Sequence, residues 1–358
     1  MILSKSGVLI VAAATVVAYI ACICRPICFH APLTLVRLQL DDSHCPLFTG
    51  NVARRTPPRS SHPRSVAISW QEMPQRHCYA DVNGIQLHYV EEGSGKLVLF
   101  IHGFPEFWYE WHAQLADLGR DHHAVALDLR GYNLSSKPQE VEAYKTKHLV
   151  EDIRSLAATL TSEPFTLVAH DWGGAVAWAF AIRHPQLLSE LIILNSPHPA
   201  VFARELTTNP KQQRASQYMR LFQSPEAEDI VSFANFRMLK AAALSGRSEE
   251  DVAKYVEAWS QPGAMTGGLN YYRAMRVKPP ALDGAVVPLP PVDPATMQVK
   301  VRTRVIWGIL DNALTPGNIE GLADFVPDLD LVRVPDASHW IVAEKPELVN
   351  RLIREFVS

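Results

Sequence analysis

Past Cys78 the chain of 358 residues has no cysteine; its five stand at positions 22, 24, 28, 45 and 78. Everything after that point holds neither a disulfide nor a thiolate metal site and must fold on packing alone. Charge of one sign is also wanting. Against 34 Lys plus Arg there are 37 Asp plus Glu, a formal charge of −3. No chain-wide basic field exists to hold a nucleic acid. No self-similarity recurs at roughly 20–50 residues, which sets aside solenoids and propellers. What is present is ordinary globular composition, 47% hydrophobic and 20% charged. That suffices for one large domain with additions.

The amino end differs from the rest. From Ser6 to Cys24 nineteen residues carry no charge, with Val8, Leu9, Ile10, Val11, Val16, Val17, Ile20 and Ile23 supplying apolar weight. Such a run is long enough for one bilayer span, and longer than the core of a cleaved secretory signal. We read residues 1–25 as an uncleaved membrane anchor. Between Arg25 and His77 seven Arg stand against three acids (Asp41, Asp42, Glu72), with only Lys5 and the amino terminus before the span. The positive-inside rule then places the body of the protein in the cytosol, with the endoplasmic reticulum the expected membrane. Cys22, Cys24 and Cys28 lie at the membrane edge, where burial in the span is the simpler reading and S-acylation the alternative. Residues 26–77, with Pro57, Pro58, Pro63 and Pro74 among Arg and Ser, read as a tether.

From residue 78 short apolar runs alternate with amphipathic stretches. Ile85–Val90 alternates as an edge strand does. Leu97–Ile101, Ala124–Leu127, Phe165–Ala169, Leu191–Leu194 and Val305–Trp307 are continuous, as strands covered on both faces are. Helices are expected over His148–Leu160, Gly174–Ile182 and Pro346–Phe356. This alternation predicts an α/β fold with a mostly parallel, doubly wound sheet. Residues 201–295 break the pattern, with helices expected over Gln212–Phe222, Ala227–Leu244 and Glu249–Trp259, and read as an inserted helical lid. The core then comprises residues 78–200 and 296–358, the prolines from Pro279 to Pro294 marking the return.

In such sheets ligands gather beyond the carboxyl ends of the strands. Four segments stand there: His102-Gly103-Phe104-Pro105-Glu106, His170-Asp171-Trp172-Gly173-Gly174, Gly308-Ile309-Leu310-Asp311 and Asp336-Ala337-Ser338-His339-Trp340. The second has the layout of a nucleophile elbow, with Asp171 where Ser or Cys is usual. A carboxylate, with a reference pKa of about 3.9, needs no base to become a nucleophile. Taken alone, Asp171 is equally well read as a helix N-cap. Asp311 and His339 change the balance, because nucleophile, acid and histidine in that chain order, each after an expected strand, form the α/β-hydrolase arrangement.

On these motifs, with Trp307-Gly308-Ile309-Leu310-Asp311 and Ser338-His339-Trp340, the sequence from about Tyr79 onward resembles the epoxide hydrolases of the α/β-hydrolase superfamily. With the apolar run ahead, the whole resembles their membrane-anchored animal type. Two further segments, Tyr218-Met219-Arg220-Leu221-Phe222-Gln223 and Leu269-Asn270-Tyr271-Tyr272-Arg273, look like those from which these enzymes supply two ring-opening tyrosines. The resemblance assigns that role to Tyr218 and Tyr272 and leaves Tyr271 to packing. Gly131-Tyr132-Asn133 departs from the family's Gly-Tyr-Gly, and Ser338 stands where glycine is common. Asn tolerates positive φ, so the turn should persist.

The resemblance implies that Asp171 attacks a lipophilic epoxide, epoxy fatty acids among the candidates, to give an ester. Tyr218 and Tyr272 would supply the proton, and His339, oriented by Asp311, would activate the water that releases a vicinal diol. Backbone N–H groups of Phe104 and Trp172 are the expected oxyanion hole. No metal or cofactor is needed. Two rivals remain: a haloalkane or haloacid dehalogenase, which also uses an elbow aspartate, and a non-catalytic hydrolase-fold receptor, whose usual sign is a lost triad member. His122 and His123 lack partners at metal-ligand spacing and read as solvent-facing, Trp108 and Trp111 as packing. The sequon Asn133-Leu134-Ser135 would matter only in a lumenal protein.

Overall fold

The computed structural model describes residues 75–275, 277–281 and 293–357. The expected anchor and nearly all of the tether lie outside the described residues. Among the described residues no helix is long and apolar enough to cross a membrane.

Eight strands form one sheet in the order β1-β2-β4-β3-β5-β6-β7-β8. They are β1 (Arg76–Val82), β2 (Ile85–Glu92), β3 (Leu97–Ile101), β4 (His123–Leu127), β5 (Phe165–His170), β6 (Leu188–Leu194), β7 (Thr303–Gly308) and β8 (Leu329–Val334). β1 and β2 pair antiparallel, as do β2 and β4, and the rest of the sheet is parallel. β3 and β5 are buried along their whole length. Helices cover both faces there, so every position of those strands is apolar or hydrogen-bonded. β1 escapes a reading by apolar runs because, at the sheet edge, its residues alternate between exposed and half-buried.

The core helices are α1 (His112–Leu118), α2 (Thr146–Leu160) and α3 (Asp171–Arg183), with α10 (Ile341–Glu344) and α11 (Pro346–Arg354) at the end. Between β6 and β7 six helices are inserted: α4 (Pro199–Thr208), α5 (Pro210–Ala215), α6 (Tyr218–Phe222), α7 (Ala227–Ala243), α8 (Glu249–Trp259) and α9 (Ala264–Ala274). The expected helix over Gln212–Phe222 is therefore two. The break falls at Ser216 and Gln217, and no Gly or Pro marks it in the sequence. The expected helix from Ala227 is also interrupted. Ala234, Asn235 and Phe236 take left-handed φ of 51°, 56° and 58°, a conformation costing about 1–2 kcal/mol for each L-residue. It buries Phe236 against Trp259, ring centroids 5.5 Å apart, and leaves Phe233 exposed.

Trp108 and Trp111 are buried in the core, as expected. The histidines at 122 and 123 are not simply solvent-facing. His122 is 2.8 Å from Asp121, and His123, half-buried, is 2.8 Å from Glu91. At the Gly-Tyr-Asn turn Asn133 takes φ 37° and its side-chain amide donates to Asp128 Oδ2 at 2.8 Å, so the turn persists with Asn as its third residue.

Candidate active site

β5 ends at His170, and the chain turns at once into α3 with Asp171 at φ 47°. A non-glycine residue there is strained unless its surroundings fix it. Ser196 does so from the end of β6, its hydroxyl donating to the Asp171 carbonyl at 2.7 Å. Gly103, just after β3, leaves room for the side chain, since a Cβ there would lie 2.3 Å from that of Asp171. The Asp171 side chain is thereby thrust out beyond the sheet, and its Oδ1 accepts the backbone N–H of Phe104 at 2.8 Å. The N–H of Trp172 belongs to the first turn of α3, where amides have no carbonyl one turn back.

Facing this carboxylate is His339, in the loop after β8, its Nε2 3.7 Å from Asp171 Oδ2. Its Nδ1 lies 2.7 Å from Asp311 Oδ2. Asp311 is held on every side: Oδ1 accepts the N–H groups of Ala313 and Leu314, both at 2.8 Å, and Oδ2 accepts the Asn195 amide at 2.8 Å. Burial opposes a charged His339, but the charge of Asp311 and the hydrogen bond to it outweigh burial, so the pKa of His339 rises above its ordinary value.

Tyr218 and Tyr272 come together on α6 and α9, ring centroids 6.1 Å apart. The Tyr272 ring is edge-on to Phe104 at 5.5 Å and to Trp172 at 5.0 Å, the first of which donates its amide to the Asp171 carboxylate. Burial first, then the nearby Asp171 charge, raises the Tyr218 pKa above its usual range. Tyr272 is raised likewise, by burial first and then by Tyr218 and Asp171. Tyr271 turns away. It is buried, and its hydroxyl donates to the Arg130 carbonyl at 2.8 Å. All seven residues singled out in the sequence thus converge, and the decoy packs as expected.

Three elements of the site carry no sequence signal of their own. Asn195, at φ 37°, clamps Asp311 and also bonds Gly308 through its Oδ1 at 2.8 Å. Glu106 is a buried carboxylate paired with Arg247 at 3.1 Å and hydrogen-bonded by Tyr255, both from the helical insertion. Burial first, then the neighbouring Glu110, raises its pKa, while Arg247 opposes. Buried behind His339, His170 lies 2.6 Å from Glu110 Oε1, off the axis of its N–H. His170 and Glu106 stand inside motifs read from the sequence, but only the fold supplies their partners. Among the described residues no three His, Cys, Asp or Glu side chains converge as a metal-binding group.

The arrangement brings together a carboxylate held by a backbone amide, two phenols near it, and an acid-oriented histidine beside it. A family model described as the alpha/beta hydrolase fold matches residues 96–346. The AB hydrolase superfamily protein YfhM of Bacillus subtilis is 38% identical over 288 residues, 78% of this chain and 96% of that protein. Epoxide hydrolase 4 of Homo sapiens is 35% identical over 297 residues, 78% of each chain. Among solved structures, the epoxide hydrolase of Bacillus megaterium in complex with an inhibitor aligns at a TM-score of 0.70 and 38% identity, over 78% of this chain and 99% of that one. The chain belongs to the α/β-hydrolase family, is a hydrolase enzyme, and has animal and bacterial epoxide hydrolases among its relatives.

Proposed function

We propose that this hydrolase opens lipophilic epoxides to vicinal diols through an ester on Asp171. The observation that carries the reading is the pair of phenols, Tyr218 and Tyr272, packed together near enough to the elbow aspartate to feel its charge. Attack by Asp171 on a ring carbon expels an alkoxide, a strong base. A phenol of raised pKa stays protonated at neutral pH yet still donates downhill to an alkoxide. In the second step neutral His339 takes a proton from water, and the hydroxide attacks the carboxyl carbon of Asp171. The imidazolium that forms is stabilised by Asp311. The N–H groups of Phe104 and Trp172 receive the negative charge of the tetrahedral intermediate, the first of them already donating to the same carboxylate. Residues 201–295 serve as the lid that carries both phenols.

The test is turnover by the purified full chain on a panel of epoxy fatty acids, styrene-type oxides and haloalkanes. Diol from the epoxy lipids without halide release supports the reading. Chloride or bromide release with no diol would make the enzyme a dehalogenase.

The reading extends to membrane anchorage in the endoplasmic reticulum with a cytosolic body, supported by the uncharged run Ser6–Cys24 and the Arg excess after it. Alkaline carbonate should fail to extract the protein. Protection of residues 75–357 from protease in sealed microsomes would overturn the orientation.

A further inference from the structure

Helix α9 carries a feature that its own stability does not explain. Its sequence runs Ala-Met-Thr-Gly-Gly-Leu-Asn-Tyr-Tyr-Arg-Ala, with Gly267 and Gly268 adjacent in the interior. Glycine is the poorest helix former after proline, and neither residue needs a backbone conformation that others avoid. What they provide is closeness. A Cβ on Gly267 would lie 2.3 Å from the Gly131 carbonyl oxygen and 2.6 Å from the Gly131 Cα, so backbone meets backbone. A Cβ on Gly268 would lie 2.8 Å from the Phe104 ring.

One helical turn later, on the same two edges of α9, stand the two tyrosines. Tyr271 continues the Gly267 edge and bonds the carbonyl of Arg130, the residue before Gly131. Tyr272 continues the Gly268 edge and meets Phe104, whose amide holds the Asp171 carboxylate, and Trp172, the residue after Asp171. The Gly267 edge therefore fastens α9 to the 130–131 turn, and the Gly268 edge lets it settle onto the loop whose amide holds the carboxylate.

We propose that Gly267 and Gly268 are positioning residues for ring opening, setting by the depth at which α9 seats the place of the Tyr272 hydroxyl over Asp171. The inference rests on the role given to Tyr272 above. Relieving the contact at Gly267 requires α9 to withdraw by roughly 1 Å, a misplacement that costs on the order of a hundredfold when it moves a reacting group. The phenols act only while the ester forms, so a withdrawal of α9 touches that step and spares ester hydrolysis, which depends on His339, Asp311 and the Phe104 and Trp172 amides, none of them carried by α9.

The experiment compares wild type, Gly267→Ala, Gly268→Ala and Tyr272→Phe by crystal structure and by single-turnover kinetics that time ester formation and ester hydrolysis separately. Gly268→Ala meets a side chain rather than backbone, and so keeps the test available should Gly267→Ala not fold. In the alanine variants the Tyr272 ring should stand farther from Phe104 and Trp172. Ester formation should fall roughly 10–100-fold with hydrolysis within about twofold. Combining either change with Tyr272→Phe should slow ester formation little beyond Tyr272→Phe alone. A Tyr272 ring left in place, equal losses in both steps, or losses that multiply with Tyr272→Phe would each overturn the proposal. Wild-type enzyme forming no Asp171 ester with any epoxide would instead defeat the functional reading, while the crystal structures would still decide whether the glycines set the seat of Tyr272.

Discussion

The imidazole Nε2 of His170 lies 2.9 Å from the backbone carbonyl of His339, so the residue just before the elbow aspartate fixes the backbone of the histidine that faces it. The two rings are 4.7 Å apart. Burial alone would keep His170 neutral, but Glu110 beside its other nitrogen outweighs burial and lifts the pKa to about 9. A buried cation thus stands behind His339, lowering its pKa while Asp311 raises it. The balance favours a histidine that is held firmly yet still releases its proton.

This pair should leave a mark on stability. The folded pKa of His170 is about 9, against about 6.5 in an unfolded chain. The stabilisation is therefore fully present below about pH 6.5 and is lost as pH rises through the folded value. Glu110→Gln should destabilise by about 3–5 kcal/mol at the acid end of that window, as breaking a buried pair does. The difference from wild type should shrink toward pH 9 in urea unfolding followed at several pH values. A difference independent of pH would exclude a charged His170.

The phenols should act early. Tyr218→Phe or Tyr272→Phe should slow ester formation by about 10²-fold, and the double change should nearly abolish it. Tyr271→Phe, which loses only the bond to Arg130, should stay within about threefold of wild type. Stopped-flow alkylation rates decide. A double variant that alkylates at the wild-type rate would remove both phenols from the mechanism.

His339→Gln should alkylate once and stop. Intact-protein mass analysis after mixing with epoxide should show one added substrate mass on the peptide containing Asp171, and Asp171→Asn should show none initially. In wild type, one turnover in heavy-oxygen water should put label into Asp171 and not into the diol. Label in the diol alone would mean that water attacks the ring directly.

On the proposed mechanism His339 must be neutral to act as base, and its pKa stands above the ordinary value because of Asp311. Ester hydrolysis should accordingly rise with pH through that raised pKa. Asp311→Asn removes the charge responsible, so the acid limb should move to lower pH while the plateau falls by up to about 10⁴-fold. Single-turnover hydrolysis rates between pH 5 and pH 9 measure both. A limb that moves to higher pH would contradict the assigned roles.

The parallel strands β3 to β7 were legible because buried strands read as unbroken apolar runs, and the elbow, acid and histidine because they sit in local motifs. Strand β1 was not, since an edge strand needs no apolar run. Nor were the breaks at Ser216 and at Phe233–Phe236, because the left-handed turn is held by the burial of Phe236 against Trp259, a contact between separate helices. Asn195 and Glu110 act through partners more than fifty residues away in sequence. Single-chain periodicity records what a residue is, and only tertiary pairing records whom it meets.

Strands β6 and β7 lie side by side, Leu191 opposite Thr303, although the whole helical insertion intervenes. The ladder between them would close equally well over a shorter or longer connection. The helical insertion from α4 to α9 is thus a cassette that descent or design can exchange without disturbing the strand register. Asp171, Asp311 and His339 stay with the scaffold, whereas both phenols travel with the cassette. On the mechanism proposed above, exchange would replace the proton donor while keeping nucleophile and base, giving related chains a route from one leaving group to another through a single crossover.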